Sequence, residues 1–229
     1  MSDSGRRQKR EPLELPRYDP AKAAKTAVEL LREADVPCAL VGRVAVWTYV
    51  PPDGQQYTKD LDLAVPSGTV DRLKAAAKKR GYAVTDLGIG GIGVRTPAGP
   101  IDFIDRHPYL SALFSEAVRA AEESGTSVSA GETALPVAPL PHLVAMKMVS
   151  GEASDDRDVE ELLMTVPSDG YRDIRELVLR HLGVASAERL DVIARRVGHP
   201  GPGMKRRYKS SDDSSADGER GRKDPEEHA

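Results

Sequence analysis

The run Thr58-Lys59-Asp60-Leu61-Asp62-Leu63-Ala64-Val65 constrains this chain more than any other segment. Two carboxylates two positions apart, alternating with leucines, point to one side of a β-strand while the leucines point to the other. The leucine face demands a hydrophobic core behind it. The acid face demands a cation, because carboxylates are rarely buried without a partner. Taken alone, such a pair is also what the polar face of an amphipathic edge strand looks like. Its meaning therefore depends on what the rest of the chain brings to it.

A third acid offers itself in Gly99-Pro100-Ile101-Asp102-Phe103-Ile104, again inside an apolar strand. If the two strands are neighbours, Asp60, Asp62 and Asp102 converge. Three carboxylates match the preference of Mg²⁺ for hard oxygen ligands. Upstream, the strand Cys38 to Val41 ends at Gly42, where a helix begins, so backbone N–H groups there can face an anion. Asp105 falls on the opposite strand parity to Asp102 and reads as a strand-end surface acid, with a fallback role as third ligand.

The predicted elements give a mixed front half and a helical back half. Helices are expected over 21–34, 44–50, 69–80 and 109–123, and strands over 38–41, 60–65, 82–86, 91–96 and 101–104. Pro51-Pro52-Asp53-Gly54 is a loop and Pro97-Ala98-Gly99-Pro100 a turn. A short extended piece around Leu135-Pro136-Val137 precedes helices over 140–149, 156–164, 171–182 and 187–197. The fold class is α+β, a mixed β-sheet with flanking helices followed by a helical C-terminal half.

Residues 1–17 are basic and proline-punctuated, and residues 200–229 carry almost nothing apolar, so both are expected to be disordered. This divides the chain into a disordered arm (1–17), an α/β core (18–130), a helical region (131–199) and a charged tail (200–229). The cluster Lys205-Arg206-Arg207-Tyr208-Lys209 reads as solvated tail in preference to a grip on RNA, because acidic residues follow it.

Composition excludes several classes. A net charge of -3 gives no global argument for nucleic-acid binding. One cysteine, Cys38, rules out an intramolecular disulfide and fits a reducing cytoplasm, and its apolar neighbours make it a core residue. No apolar run reaches the ~20 residues of a membrane span, and the basic N-terminus lacks the apolar stretch of a secretory signal. The five histidines show no zinc-like spacing. Gly88-Ile89-Gly90-Gly91-Ile92-Gly93 formally satisfies a dinucleotide fingerprint, but a strand and a turn follow it where a helix is required, so it reads as a hairpin. There is no P-loop and no Gly-x-Ser-x-Gly elbow.

Four elements in order, Val41-Gly42-Arg43-Val44-Ala45, Thr58 to Leu63, Ile101-Asp102-Phe103-Ile104, and Lys147 followed by Arg157-Asp158-Val159-Glu160-Glu161-Leu162, resemble the nucleotidyltransferase superfamily of the DNA polymerase beta type. The late lysine and Arg-Asp pair is similar to the abortive-infection toxin members. The similarity covers about residues 25–165. It implies an enzyme that moves a nucleotide monophosphate from a nucleoside triphosphate, with ATP binding among its properties, using two Mg²⁺ ions. Asp60, Asp62 and Asp102 would bind metal, and Asp102 would help deprotonate an incoming hydroxyl. Gly42 would let the backbone approach the phosphates, Thr58 would orient the aspartates, and Lys147 would contact the triphosphate or base, held by Asp158. The resemblance implies an RNA or protein acceptor, a toxin–antitoxin setting with an antitoxin partner, or a small-molecule acceptor such as an aminoglycoside.

Arg43 departs from the family pattern, which places a second small residue there. Two readings stand open: a guanidinium that binds phosphate itself, or one that crowds the cradle and leaves a catalytically silent nucleotide- or protein-binding module. A structural α/β protein with surface acids is a third reading. Lys147 reads equally as an exposed helix lysine, and Arg157 and Asp158 read first as helix-surface charges.

Overall fold

A computed structural model describes residues 19–52, 58–130, 133–150, 152–167 and 169–199. The expected N-terminal arm, the charged tail with its Lys205–Lys209 cluster, and Asp53 and Gly54 of the expected loop lie outside the described residues.

The chain opens with helix α1 (Pro20–Ala34). Asp19 caps it, its side chain accepting from the backbone N–H of Ala21 at 3.1 Å, and Pro20 takes the first-turn position where a missing N–H is harmless. Ala23, Ala24, Ala27, Leu30 and Leu31 form its buried stripe. Strand β1 (Ala39–Leu40) and the five-residue helix α2 (Gly42–Val46) follow. Next come β2 (Leu61–Ala64), α3 (Val70–Lys79), β3 (Ala83–Asp86), β4 (Ile92–Thr96) and β5 (Gly99–Ile104). Then α4 (Ser111–Ser124) leads into the hairpin β6 (Ser127–Ala130) and β7 (Thr133–Pro136). The rest is helical: α5 (Leu140–Ser150), α6 (Ala153–Met164), α7 (Tyr171–Leu182) and α8 (Val184–Arg196).

Five strands form one sheet in the order β1-β2-β5-β4-β3. Only the β2–β5 pair is parallel; the others are antiparallel, so the sheet is mixed as expected. The parallel pairing sets Leu61 beside Ile101, Asp62 beside Asp102 and Leu63 beside Phe103. Leu61, Leu63, Ile101 and Phe103 are fully buried, which holds the register because a one-residue slip would turn these side chains to the other face. Helix α1 packs on β2 and β5, with α3 alongside it. In the helical half α5 packs against α6 and α7, and it reaches back to touch α2 and α4.

Four differences from expectation have local causes. The second helix starts at Gly42, not Val44, and stops at Val46: Thr48 N–H and Tyr49 N–H bond three residues back, tightening the chain into turns before Pro51. Helix α6 starts at Ala153 because Asp155 and Asp156 suit a helix N-terminus. Helix α8 begins directly after Gly183, at Val184. Strand β6 escaped the sequence reading, since Ser127-Val128-Ser129-Ala130 has weak strand character and is ordered by pairing with β7. The glycine-rich segment is the tip of the β3–β4 hairpin, closed by Leu87 N–H to Gly91 O at 3.0 Å.

Candidate active site

Asp62 sits inside β2 and Asp102 beside it on β5, their side chains on the face opposite the buried leucines. Asp60 precedes the strand. It is tied down by the buried Thr58, whose hydroxyl donates to the Asp60 backbone oxygen at 3.2 Å and to its carboxylate at 3.3 Å. One carboxylate oxygen from each of Asp60, Asp62 and Asp102 lies within 4.8 Å of the other two, the sole such grouping of potential metal ligands among the described residues.

Among the described residues no ion pair reaches this cluster, and the nearby cations only partly offset its charge. Burial, then the charges of Asp60 and Asp102, push the Asp62 carboxyl up to about 7, against the pull of Lys147. Asp102 is raised as well, by burial first and then by Asp60, with Arg95 opposing. Acids that raise one another in this way hold protons until a cation replaces them. The donor set is oxygen only, which fits Mg²⁺ and does not fit softer metals.

Gly42 meets the cluster from β1. Its φ is +66°, and a Cβ there would collide with the Asp62 carboxylate. Val41 N–H bonds the Asp62 carbonyl at 3.0 Å, so the end of β1 is pinned beside the acid. The close approach of backbone to Asp62 is thus a reason for glycine that the sequence did not disclose.

Arg43 points elsewhere. Its guanidinium pairs with Asp158 on α6. Lys147, on α5, lies 2.9 Å from the other Asp158 oxygen and 2.6 Å from Asp155. Asp155 also accepts from the Ser150 hydroxyl. Asp158 is therefore not the helix-surface charge expected of it: it is 0% exposed, turned inward with Val159 and Leu162, and shared by two cations. Arg157 is a surface residue, paired with Glu161 one turn on at 3.1 Å. Burial raises the Asp158 carboxyl, with Lys147 and Arg43 pulling the other way. For Lys147 burial acts downward, yet its bond to Asp155 and the charge of Asp158 leave it above the ordinary lysine value.

Between these groups lies a cavity of about 190 Å³, lined in part by Gly42, Asp62, Ile89, Arg106, Lys147 and Asp155. Arg106, Ser150 and Asp155 were not singled out from the sequence. Ser150 and Asp155 had a signal, since both flank Lys147 in a helix–turn–helix where contact is short-range. Arg106 had none beyond following Asp102 by four residues. Asp105 corrects an expectation: it is buried, not a surface acid, and accepts from His107 N–H at 3.1 Å, away from the triad. Cys38 is a core residue whose thiol burial pushes up to about 12, so it carries no nucleophile. No helix among the described residues is long and apolar enough to cross a membrane.

The chain matches no protein-family model and no curated protein. It is similar to solved structures. One is the antibiotic-resistance factor ANT(2'')-Ia in solution, at 16% identity and a TM-score of 0.41 over 77% of this chain and 91% of that one. Another is ANT(2'')-Ia in complex with adenylyl-2''-tobramycin, at 16% identity and 0.39 over 76% and 95%. A third is an antigenic nucleotidyltransferase-like protein from Paracoccidioides brasiliensis, at 14% identity and 0.43 over 75% and 93%.

Proposed function

We propose that this chain is a metal-dependent nucleotidyltransferase that moves a nucleotide monophosphate from a nucleoside triphosphate to a hydroxyl acceptor. One observation carries the reading: Asp60, Asp62 and Asp102 converge with no ion pair among the described residues, and Asp62 lines a cavity that also presents Lys147 and Arg106. Carboxylates that need a cation, beside cations that face a pocket, suit a metal-bound polyanion better than either group suits water.

In this reading Asp60, Asp62 and Asp102 hold Mg²⁺, which when bound neutralises charge on the reacting phosphate and its leaving group. The chain's own residues do the rest. Thr58 fixes Asp60, and the β2–β5 register fixes Asp62 against Asp102. Gly42 lets the backbone pack directly against the Asp62 carboxylate, which a side chain there would displace. The acceptor hydroxyl attacks the α-phosphorus, the bond to pyrophosphate breaks, and the hydroxyl proton passes to the Asp102 carboxylate. Lys147 is held at the cavity by Asp155 and Asp158 and offers its remaining donor to the nucleotide.

The Arg43 guanidinium is engaged by Asp158. Neither phosphate binding by Arg43 nor obstruction by it is needed, and this removes the main support for a silent module. The acceptor in this reading is an RNA or protein, in a toxin–antitoxin setting, with ATP among the donors to be offered.

The test supplies purified protein with Mg²⁺ and each α-labelled triphosphate, and offers total RNA, cell protein and an aminoglycoside as acceptors. Label transfer should fall by about three orders of magnitude or more in Asp62→Asn, the scale expected when transition-state electrostatics are removed. Transfer that survives Asp62→Asn, or a wild type that binds no triphosphate with Mg²⁺, would refute the reading.

A further inference from the structure

Lys147 and Arg106 are both cations lining the cavity, but only one of them is already matched. Lys147 is held by Asp155 and Asp158 at 2.6 and 2.9 Å. Arg106 forms no ion pair among the described residues, and its Nε is buried without a hydrogen-bond partner. A partly buried guanidinium with a buried, unbonded Nε and no anion beside it is short of a partner, and burial pushes its pKa down.

The backbone of Arg106 is also held from three sides. Its φ is +50°, in the left-handed region that arginine seldom adopts. The buried Asp105 accepts from the next residue's N–H, and the Arg106 carbonyl accepts from Leu110 N–H at 3.0 Å. The glycine-rich hairpin tip closes the third side: a Cβ on Gly90 would stand 2.9 Å from the Arg106 Cα. The backbone that carries the guanidinium is fixed before any ligand arrives, so the chain loses little order there when one binds.

We propose that Arg106 receives the polyphosphate tail of the donor nucleotide. The proposal rests on the nucleotidyl-transfer reading and adds to it the residue that grips the leaving pyrophosphate. A planar guanidinium matches adjacent phosphate oxygens with paired donors. Asp62, one of the three clustered aspartates, lines the same cavity as Arg106, so a polyanion held at the cluster has the guanidinium within the same cavity. Lys147, already matched, supplies a secondary contact.

The probe is inorganic tripolyphosphate with Mg²⁺, titrated calorimetrically into wild type, Arg106→Gln and Arg106→Lys beside the four nucleoside triphosphates and their monophosphates. Arg106→Gln should weaken tripolyphosphate and all four triphosphates by about tenfold or more, the scale of a lost charge-assisted bond, and leave monophosphates within about twofold. Arg106→Lys should fall between. Circular dichroism reports folding, and if Arg106→Gln is unfolded the lysine variant carries the comparison, an affinity equal to wild type then overturning the proposal. Unchanged tripolyphosphate binding by Arg106→Gln, or equal losses for mono- and triphosphates, would overturn it while leaving nucleotidyl transfer intact. A wild type that binds neither tripolyphosphate nor triphosphate would overturn both.

Discussion

Two acidic clusters each lend one acid, Asp62 and Asp155, to the lining of the same cavity, and they are electrically opposite. On the sheet, Asp60, Asp62 and Asp102 stand together and raise one another's affinity for protons. On the helices, Asp155 and Asp158 are matched by Lys147 and Arg43, two acids to two bases. The helical cluster is closed. It needs nothing from outside, so its work is to hold α2, α5 and α6 together and to present one lysine. The sheet cluster is open: no ion pair reaches it among the described residues, and the proposed chemistry rests on that difference. Burial of acids is therefore not itself a sign of a site; burial of acids without bases is.

Removing a charge from the closed cluster should do the greatest structural damage. Asp158→Asn leaves the half-buried Arg43 without its ion-pair partner and Lys147 with Asp155 alone, and should cost about 2–4 kcal/mol, seen as a fall in Tm of roughly 10 °C. Arg43→Ser leaves Asp158 still paired to Lys147, so its cost should be smaller, about 1–3 kcal/mol, and transfer per folded molecule should be retained. If Arg43→Ser instead lost triphosphate affinity without losing stability, the cluster would not be closed and Arg43 would serve the phosphates.

The open cluster should respond to pH in the opposite sense from ordinary carboxylates. The folded-state pKa of Asp62, about 7, lies above the ordinary carboxylate value of 3.8. A raised acid favours the protonated folded state. Its contribution is full below pH 4 and is lost as pH rises to about 7. Chelated protein should thus lose on the order of 1–3 kcal/mol between pH 4 and pH 7, followed by thermal melts across that range. Asp62→Asn should flatten the dependence, and Mg²⁺ at pH 8 should restore stability to wild type. A melt independent of pH in the chelated wild type would show that the sheet acids are already compensated.

The smallest effect belongs outside both clusters. Arg157, with its side chain 69% exposed, pairs with Glu161 across one turn. Arg157→Ala should change stability by less than about 0.5 kcal/mol. A loss of several kcal/mol in chemical denaturation would mean that the closed cluster extends to the helix surface.

Local chemistry made much of this legible. The Asp-Leu-Asp-Leu alternation could be read as a half-buried strand because side-chain direction in a strand has a fixed period. The hairpin at Gly88–Gly93 was legible from the strand and turn that follow it. Asp158 was not: an acid amid charged neighbours on a helix reads as solvated, and only packing against α5 and the ion pair to Arg43 of α2 show that its face is inward. Arg106 was illegible for the same reason, since its neighbours in space are the β3–β4 hairpin and the α5–α6 corner.

By itself the sequence determined an α+β chain with a strand carrying two acids on one side and leucines on the other. Periodicity is a local property, and it was enough. The tertiary structure decided which acids were left in need of a cation. Compensation depends on distance between charges from separate elements: Arg43 with Asp158, Lys147 with both helix acids, and no ion pair among the described residues for Asp60, Asp62 or Asp102. Coulomb interactions follow separation in space, and spacing along the chain does not report it.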